Sequence, residues 1–169
     1  MKRALRTASP ARVAARRSGP RISPQRLMRE AEAARRQSYS PYSRFAVGAA
    51  LLTRDGRIIT GTNVENASYG LAVCAERVAL WKAVSEGTRE FVSIAIAAEP
   101  GSAASPCGAC RQVLHEFAPG LWVTWRDANG RIVGRKLDEL LASPFTPAEL
   151  AAANGRARTS GRAKRGRRA

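Results

Sequence analysis

All three cysteines of this 169-residue chain fall in two short pieces, Cys74-Ala75-Glu76 and Pro106-Cys107-Gly108-Ala109-Cys110. A fold that serves this pattern must bring two distant segments to one point. A cysteine with a carboxylate two residues on, together with a distant Pro-Cys-x-x-Cys, is the residue set of a catalytic zinc site. Three thiolates hold the ion and leave the fourth tetrahedral position to a water, which zinc acidifies to a pKa of about 7. Glu76 is placed to move protons rather than to bind metal. Other readings of the same residues exist. A Cys-x-x-Cys also serves as a redox pair or as half of a closed structural site. A closed site needs a fourth protein ligand, and the one histidine, His115, lies five residues past Cys110. At about 100° per residue it is turned well off the cysteine face of a helix. A redox pair leaves Cys74 and Glu76 without a role, and an odd cysteine count argues against a disulfide framework.

The flanking patterns put these residues at helix starts. Cys74 to Gly87 reads as a helix with Ala75, Val78, Ala79 and Val84 near one face and Gly87 as its stop. A second helix opens at Pro106 and runs through Val113, Leu114 and Phe117 to Pro119. Cys107 and Cys110, three apart, share its first turn. Two positive helix ends then favour thiolate over thiol. Three thiolates on a divalent ion leave one negative charge. Arg77 and Arg111, each beside a motif, are candidates to offset it, and either could equally be an ordinary surface helix arginine.

Several further motifs stand in order around this pair. They are Pro41-Tyr42-Ser43-Arg44-Phe45, Val47-Gly48-Ala49-Ala50-Leu51, Asn63-Val64-Glu65-Asn66-Ala67, and the extended Ser105-Pro106-Cys107-Gly108-Ala109-Cys110-Arg111-Gln112. Glu139-Leu140-Leu141 with Phe145 closes the series. With Cys74-Ala75-Glu76-Arg77, the chain from about Ser38 to Leu150 resembles the cytidine deaminases of the small, homotetrameric type. Ala46 is one departure, where such enzymes often carry proline.

The resemblance implies roles position by position. Cys74, Cys107 and Cys110 would bind one Zn²⁺ per subunit. Glu76 would carry protons from water to ring nitrogen 3 and on to the departing amine. Phe45 would pack against the pyrimidine, and Asn63 and Glu65 would hold the sugar 3′-hydroxyl. The Ala75 N–H and the Ser105 carbonyl would contact the pyrimidine oxygen and the amine. Arg77 would hydrogen-bond the zinc thiolates. Phe145 would reach into a neighbouring subunit's site, and Tyr69 would lie near a subunit boundary. The implied activity is hydrolytic deamination of free cytidine and deoxycytidine, in pyrimidine salvage, by a cytoplasmic homotetramer. Taken singly, Phe45 could be core at a strand start, Asn63 and Glu65 a solvent-facing strand end, and Phe145 a pin for a C-terminal segment.

The remaining pattern predicts one domain, residues 22–153, between two basic tails. Pro24–Gln37 reads as a helix with Leu27, Ala31 and Ala34 inward. Phe45–Thr53 and Arg57–Val64 read as strands joined at Asp55-Gly56. Phe91–Ala98, Leu121–Arg126 and Arg131–Lys136 are further strands, the last two joined at Asn129-Gly130, and Leu137–Ala142 is a short helix. The order α-β-β-α-β-α-β-β-α predicts an α/β protein: three α/β/α layers with helices on both faces of a mixed five-stranded sheet, the cytidine deaminase-like fold that the resemblance implies.

Charge is concentrated outside that domain. The chain carries a net charge of +16, yet residues 22–153 hold 15 Lys and Arg against 13 Asp and Glu. Residues 1–21 and 154–169 hold the other basic side chains, no acid, and much Ala, Ser and Gly, a composition expected to be disordered. Nucleic-acid contact through phosphates is one reading of these tails. A solvated extension is favoured, because they lack aromatics for stacking on bases. Residues 1–21 also have the Arg- and Ser-rich composition of a mitochondrial transit peptide. No apolar run is long enough to span a membrane. A nucleic-acid-binding protein on a zinc scaffold would need neither Glu76 nor an open coordination position. A deaminase of polynucleotides is the nearer rival, but a carboxylate such as Glu65 at the sugar 3′ position repels a phosphodiester.

Overall fold

The computed structural model describes residues 22–153. The two tails expected to be disordered, 1–21 and 154–169, lie outside the described residues. All nine expected elements form: α1 (Pro24–Arg35), β1 (Gly48–Thr53), β2 (Ile58–Thr62), α2 (Ala75–Ser85), β3 (Phe91–Ala97), α3 (Gly108–Phe117), β4 (Trp122–Arg126), β5 (Ile132–Lys136) and α4 (Leu137–Leu140). A 3₁₀ turn at Tyr69–Leu71 precedes α2, and residues 147–153 are helical.

The strands make one sheet in the order β2-β1-β3-β4-β5, with β3 and β4 parallel and the other neighbours antiparallel. Alternation along the two inner strands feeds two cores. Ala49 and Leu51 of β1 and Ile94 and Ile96 of β3 face α2 and α3. Ala50, Leu52, Ala95 and Ala97 face Leu27, Met28 and Ala31 of α1. Helices therefore cover both faces, which is why β1 is buried along its whole length.

Two glycines let the layers approach. A Cβ on Gly48 would lie 2.1 Å from the Ala31 carbonyl oxygen of α1. One on Gly61 would lie 2.4 Å from Ala79 N and 2.5 Å from Ala75 O, both backbone of α2. Gly61 is thus where the first turns of α2, which follow Cys74 and carry Glu76, seat on the sheet.

Several boundaries and faces differ from expectation, each for a physical reason. β1 starts at Gly48 rather than Phe45, because the Asn63 side chain takes over the backbone of that stretch. Its Nδ2 donates to Phe45 O at 2.8 Å and its Oδ1 accepts from Val47 N at 2.8 Å. Phe45 therefore opens no strand but lies on a loop, after Arg44 with a left-handed φ of 58°. β2 stops at Thr62, and Val64 bridges instead to Tyr39 and Val73. Met28, not Ala34, completes the inward stripe of α1. On α2 the buried stripe is Ala75, Ala79, Leu80 and Ala83 with Glu76, while Val78 and Val84 sit at its margins. Cys74 and Cys107 have extended backbones and precede α2 and α3 as their N-caps.

Candidate active site

Both helix starts point at one place. Cys74 caps α2, Cys107 caps α3, and Cys110 lies in the first turn of α3. Neither side chain caps the backbone N–H groups of its own helix. The three Sγ atoms lie within 4.8 Å of one another, with Cys74 and Cys107 3.9 Å apart. Sulfurs of a tetrahedral zinc site with Zn–S of about 2.3 Å are about 3.8 Å apart, so the donor set fits zinc. Cys74 is lowered to about 5, chiefly by a hydrogen bond from Cys110 and then by Arg77. Cys110 is pushed up by that same bond and by burial. In this pair, Cys74 holds the negative charge and Cys110 the proton.

Glu76 lies in the first turn of α2, two residues past Cys74. Its side chain is 4% exposed, and burial raises its pKa above the carboxylate range, with the charge on Cys74 adding to that. A carboxyl held closer to neutrality both accepts and returns a proton readily. Arg77, one residue on, donates from a guanidinium N–H to Cys74 Sγ at 3.5 Å and lies over the Trp81 ring, 5.8 Å from its centroid. Its Nε is buried without a partner. Arg111 does not join it at the sulfurs. Its guanidinium donates to Pro106 O and to Leu140 O, both at 2.8 Å, and so ties the start of α3 to the end of α4. His115, half-buried further along α3, is not in the metal-ligand cluster that the three thiols form.

A cavity of about 380 Å³ opens over this cluster. Its lining includes Phe45, Asn63, Glu65, Cys74, Ala75, Glu76, Ser105 and Cys107. Cys110 is buried and outside the lining, and Phe145 is likewise not in the lining but stands 60% exposed. Asn63 is already engaged: besides the Phe45 and Val47 bonds, its Oδ1 accepts from Ser38 Oγ at 2.6 Å. One Nδ2 proton remains for a ligand. Glu65 accepts from Tyr42 N at 2.9 Å, Ser43 N at 3.2 Å and Ser43 Oγ. The Ser43 hydroxyl holds its carboxyl below the usual range.

Sequence reasoning missed Ser38 and Ser43, which hold Asn63 and Glu65, and the apolar Val47, Val73, Ala103 and Ala104 of the lining. Ser43 lies within a motif, but nothing local marks either serine as a partner of a residue more than twenty positions away.

Residues 22–125 match the family model described as the cytidine and deoxycytidylate deaminase zinc-binding region. The chain is 50% identical over 127 residues to the cytidine deaminase of Halalkalibacterium halodurans, covering 75% of this chain and 96% of that one. It is 45% identical over 127 residues to that of Sporosarcina psychrophila, covering 75% and 93%. The crystal structure of cytidine deaminase from Burkholderia pseudomallei superposes with a TM-score of 0.70 at 46% identity, covering 73% of this chain and 100% of that one. With the thiol cluster, the buried glutamate and the α/β/α layers in place, the chain belongs to the zinc-binding cytidine and deoxycytidylate deaminase family.

Proposed function

We propose that this protein hydrolyses cytidine and deoxycytidine to uridine and deoxyuridine, releasing ammonia. The observation that carries the reading is Glu76, buried in the first turn of α2, lining the cavity two residues past one cysteine of a three-thiol cluster. Cys74, Cys107 and Cys110 would hold zinc, which supplies the Lewis acidity that makes water a nucleophile near neutral pH. Glu76 takes a proton from the attacking water, gives it to ring nitrogen 3, and carries the next to the departing amine. Its raised pKa suits this two-way traffic. The Ala75 N–H, at the positive start of α2, meets the pyrimidine oxygen. The Ser105 carbonyl accepts from the amine, and Phe45 packs on the ring.

Asn63 and Glu65 bind the sugar 3′-hydroxyl through the one N–H and the carboxylate oxygen capacity their internal bonds leave. Glu65, held ionised, accepts from a hydroxyl but repels a phosphate. The substrate is therefore a free nucleoside. The working form is a homotetramer, in which the exposed Phe145 reaches a neighbouring subunit's site and the exposed Tyr69 lies near a subunit boundary. Pyrimidine salvage in the cytoplasm is the setting this implies. No described helix is long and apolar enough to cross a membrane.

The test is loss of cytidine absorbance on adding purified protein, with zinc content measured alongside. Glu76→Gln is expected to keep its zinc and lose about 10²–10⁴-fold or more in turnover. A zinc-loaded Glu76→Gln protein that turns over like wild type would remove Glu76 from the reaction.

A further inference from the structure

Gln112 lies two residues past Cys110, and its side chain hydrogen-bonds none of the thiols. Its side-chain amide instead faces the backbone of Phe145 and bonds it twice. Nε2 donates to the Phe145 carbonyl at 2.7 Å, and Oε1 accepts from the Phe145 N–H at 3.0 Å. The amide thereby imitates a neighbouring strand, satisfying both backbone groups of one residue. Arg111 secures the same segment upstream through Leu140 O. Pro144 and Pro147 flank Phe145 and restrict the backbone on either side. The result is an aromatic ring that is 60% exposed on a pinned main chain. A large apolar ring held outward in this way is ready to dock without first losing backbone freedom.

We infer that Gln112 is the positioning residue that presents Phe145 to the nucleoside site of a second copy of this chain, so that α3 of one subunit serves two sites. This inference rests on the nucleoside reading above for what Phe145 meets. It adds the residue that holds Phe145 and ties it to the helix carrying Cys110. Phe145 contributes binding rather than proton transfer, so its displacement acts on substrate affinity.

Gln112→Met keeps the length of the side chain and removes both bonds. Gln112→Glu keeps the acceptor and sets a carboxylate against the Phe145 carbonyl. Both zinc-loaded variants are expected to raise KM for cytidine about 3–30-fold with kcat little changed, as loss of two neutral hydrogen bonds allows. The Phe145 amide is expected to exchange with solvent about tenfold or more faster in Gln112→Met. Combining Gln112→Met with Phe145→Ala is expected to raise KM no further than Phe145→Ala alone. An unchanged KM, effects that add, or an unchanged Phe145 exchange rate would overturn the assignment. Wild-type protein without cytidine turnover would instead sink the nucleoside reading, and the exchange measurement would still decide whether Gln112 holds Phe145.

Discussion

Arg77 is the cation set directly against the thiol cluster. Its guanidinium donates to Cys74 Sγ, and the Trp81 ring steadies it from one turn along α2. Removing it leaves a site one charge more negative and a less acidic water. Arg77→Ala is expected to lose about 10–100-fold in zinc affinity or turnover, measurable by chelator competition and by the cytidine assay. Wild-type zinc retention and rate together would make Arg77 a bystander. Cys110 gives a second consequence at this scale. Its thiol is pushed up by the bond to Cys74 and by burial, so it is protonated at neutral pH and must release that proton to bind metal. The sign follows: raising pH removes a competitor of zinc. Zinc affinity is expected to increase with pH, by up to about tenfold per unit for each proton released. Chelator competition on either side of neutrality checks this, and a pH-independent affinity would contradict it.

Among the elements, the contact of α2 with β2 controls where the chemistry sits. The atoms nearest a Cβ on Gly61 are backbone of Ala75 and Ala79, which cannot rotate away as a side chain would. Gly61→Ala therefore has to move α2 off the sheet, and Cys74 and Glu76 move with it. Overpacking of this kind costs about 1–3 kcal/mol. The expected result is a lower melting temperature together with reduced zinc content, although residue 61 touches no ligand. A destabilised variant with full zinc content would show that β2 supports α2 without positioning it. The loop between α1 and β1 is built by a different device. Asn63 reaches back from the end of β2 and ties Phe45 and Val47 in place, so the backbone of the Phe45 loop is set by an amide that lines the same cavity.

For the molecule as a whole, every proposed site residue lies between Phe45 and Phe145, inside the nearly charge-balanced region 22–153. The net charge of +16 belongs mostly to the two flanking extensions. Removing residues 1–21 and 156–169 is expected to leave cytidine deamination nearly unchanged. Full-length and trimmed proteins are both expected to work poorly on 3′-cytidylate and on a short single strand, because Glu65 is the residue proposed to hold the sugar 3′-hydroxyl. A site built to hydrogen-bond a hydroxyl can reject an analogue lacking it by about 10⁴–10⁵-fold. Comparing kcat/KM for cytidine, deoxycytidine, 3′-cytidylate and the strand decides this. Efficient turnover of the strand, lost on trimming, would give the basic extensions a catalytic part.

The sequence by itself determined the element order, the zinc donor set and the place of Glu76. Those features are local: periodicity reports which face is apolar, and a ligand pair three residues apart on a helix start is a property of one turn. Only the tertiary structure decided which partners the polar side chains take. Arg111 and Arg77 look alike beside their motifs, yet one bonds backbone carbonyls of the α3 start and α4 while the other bonds a thiolate. Asn63 and Glu65 read as a strand end, but folding closes them on Ser38, Tyr42 and Ser43 across more than twenty residues. Gln112 and Phe145 meet only because α4 packs against α3. A hydrogen bond between residues far apart in sequence needs both directions and distances in space. A linear pattern carries the identity of such groups and not their approach.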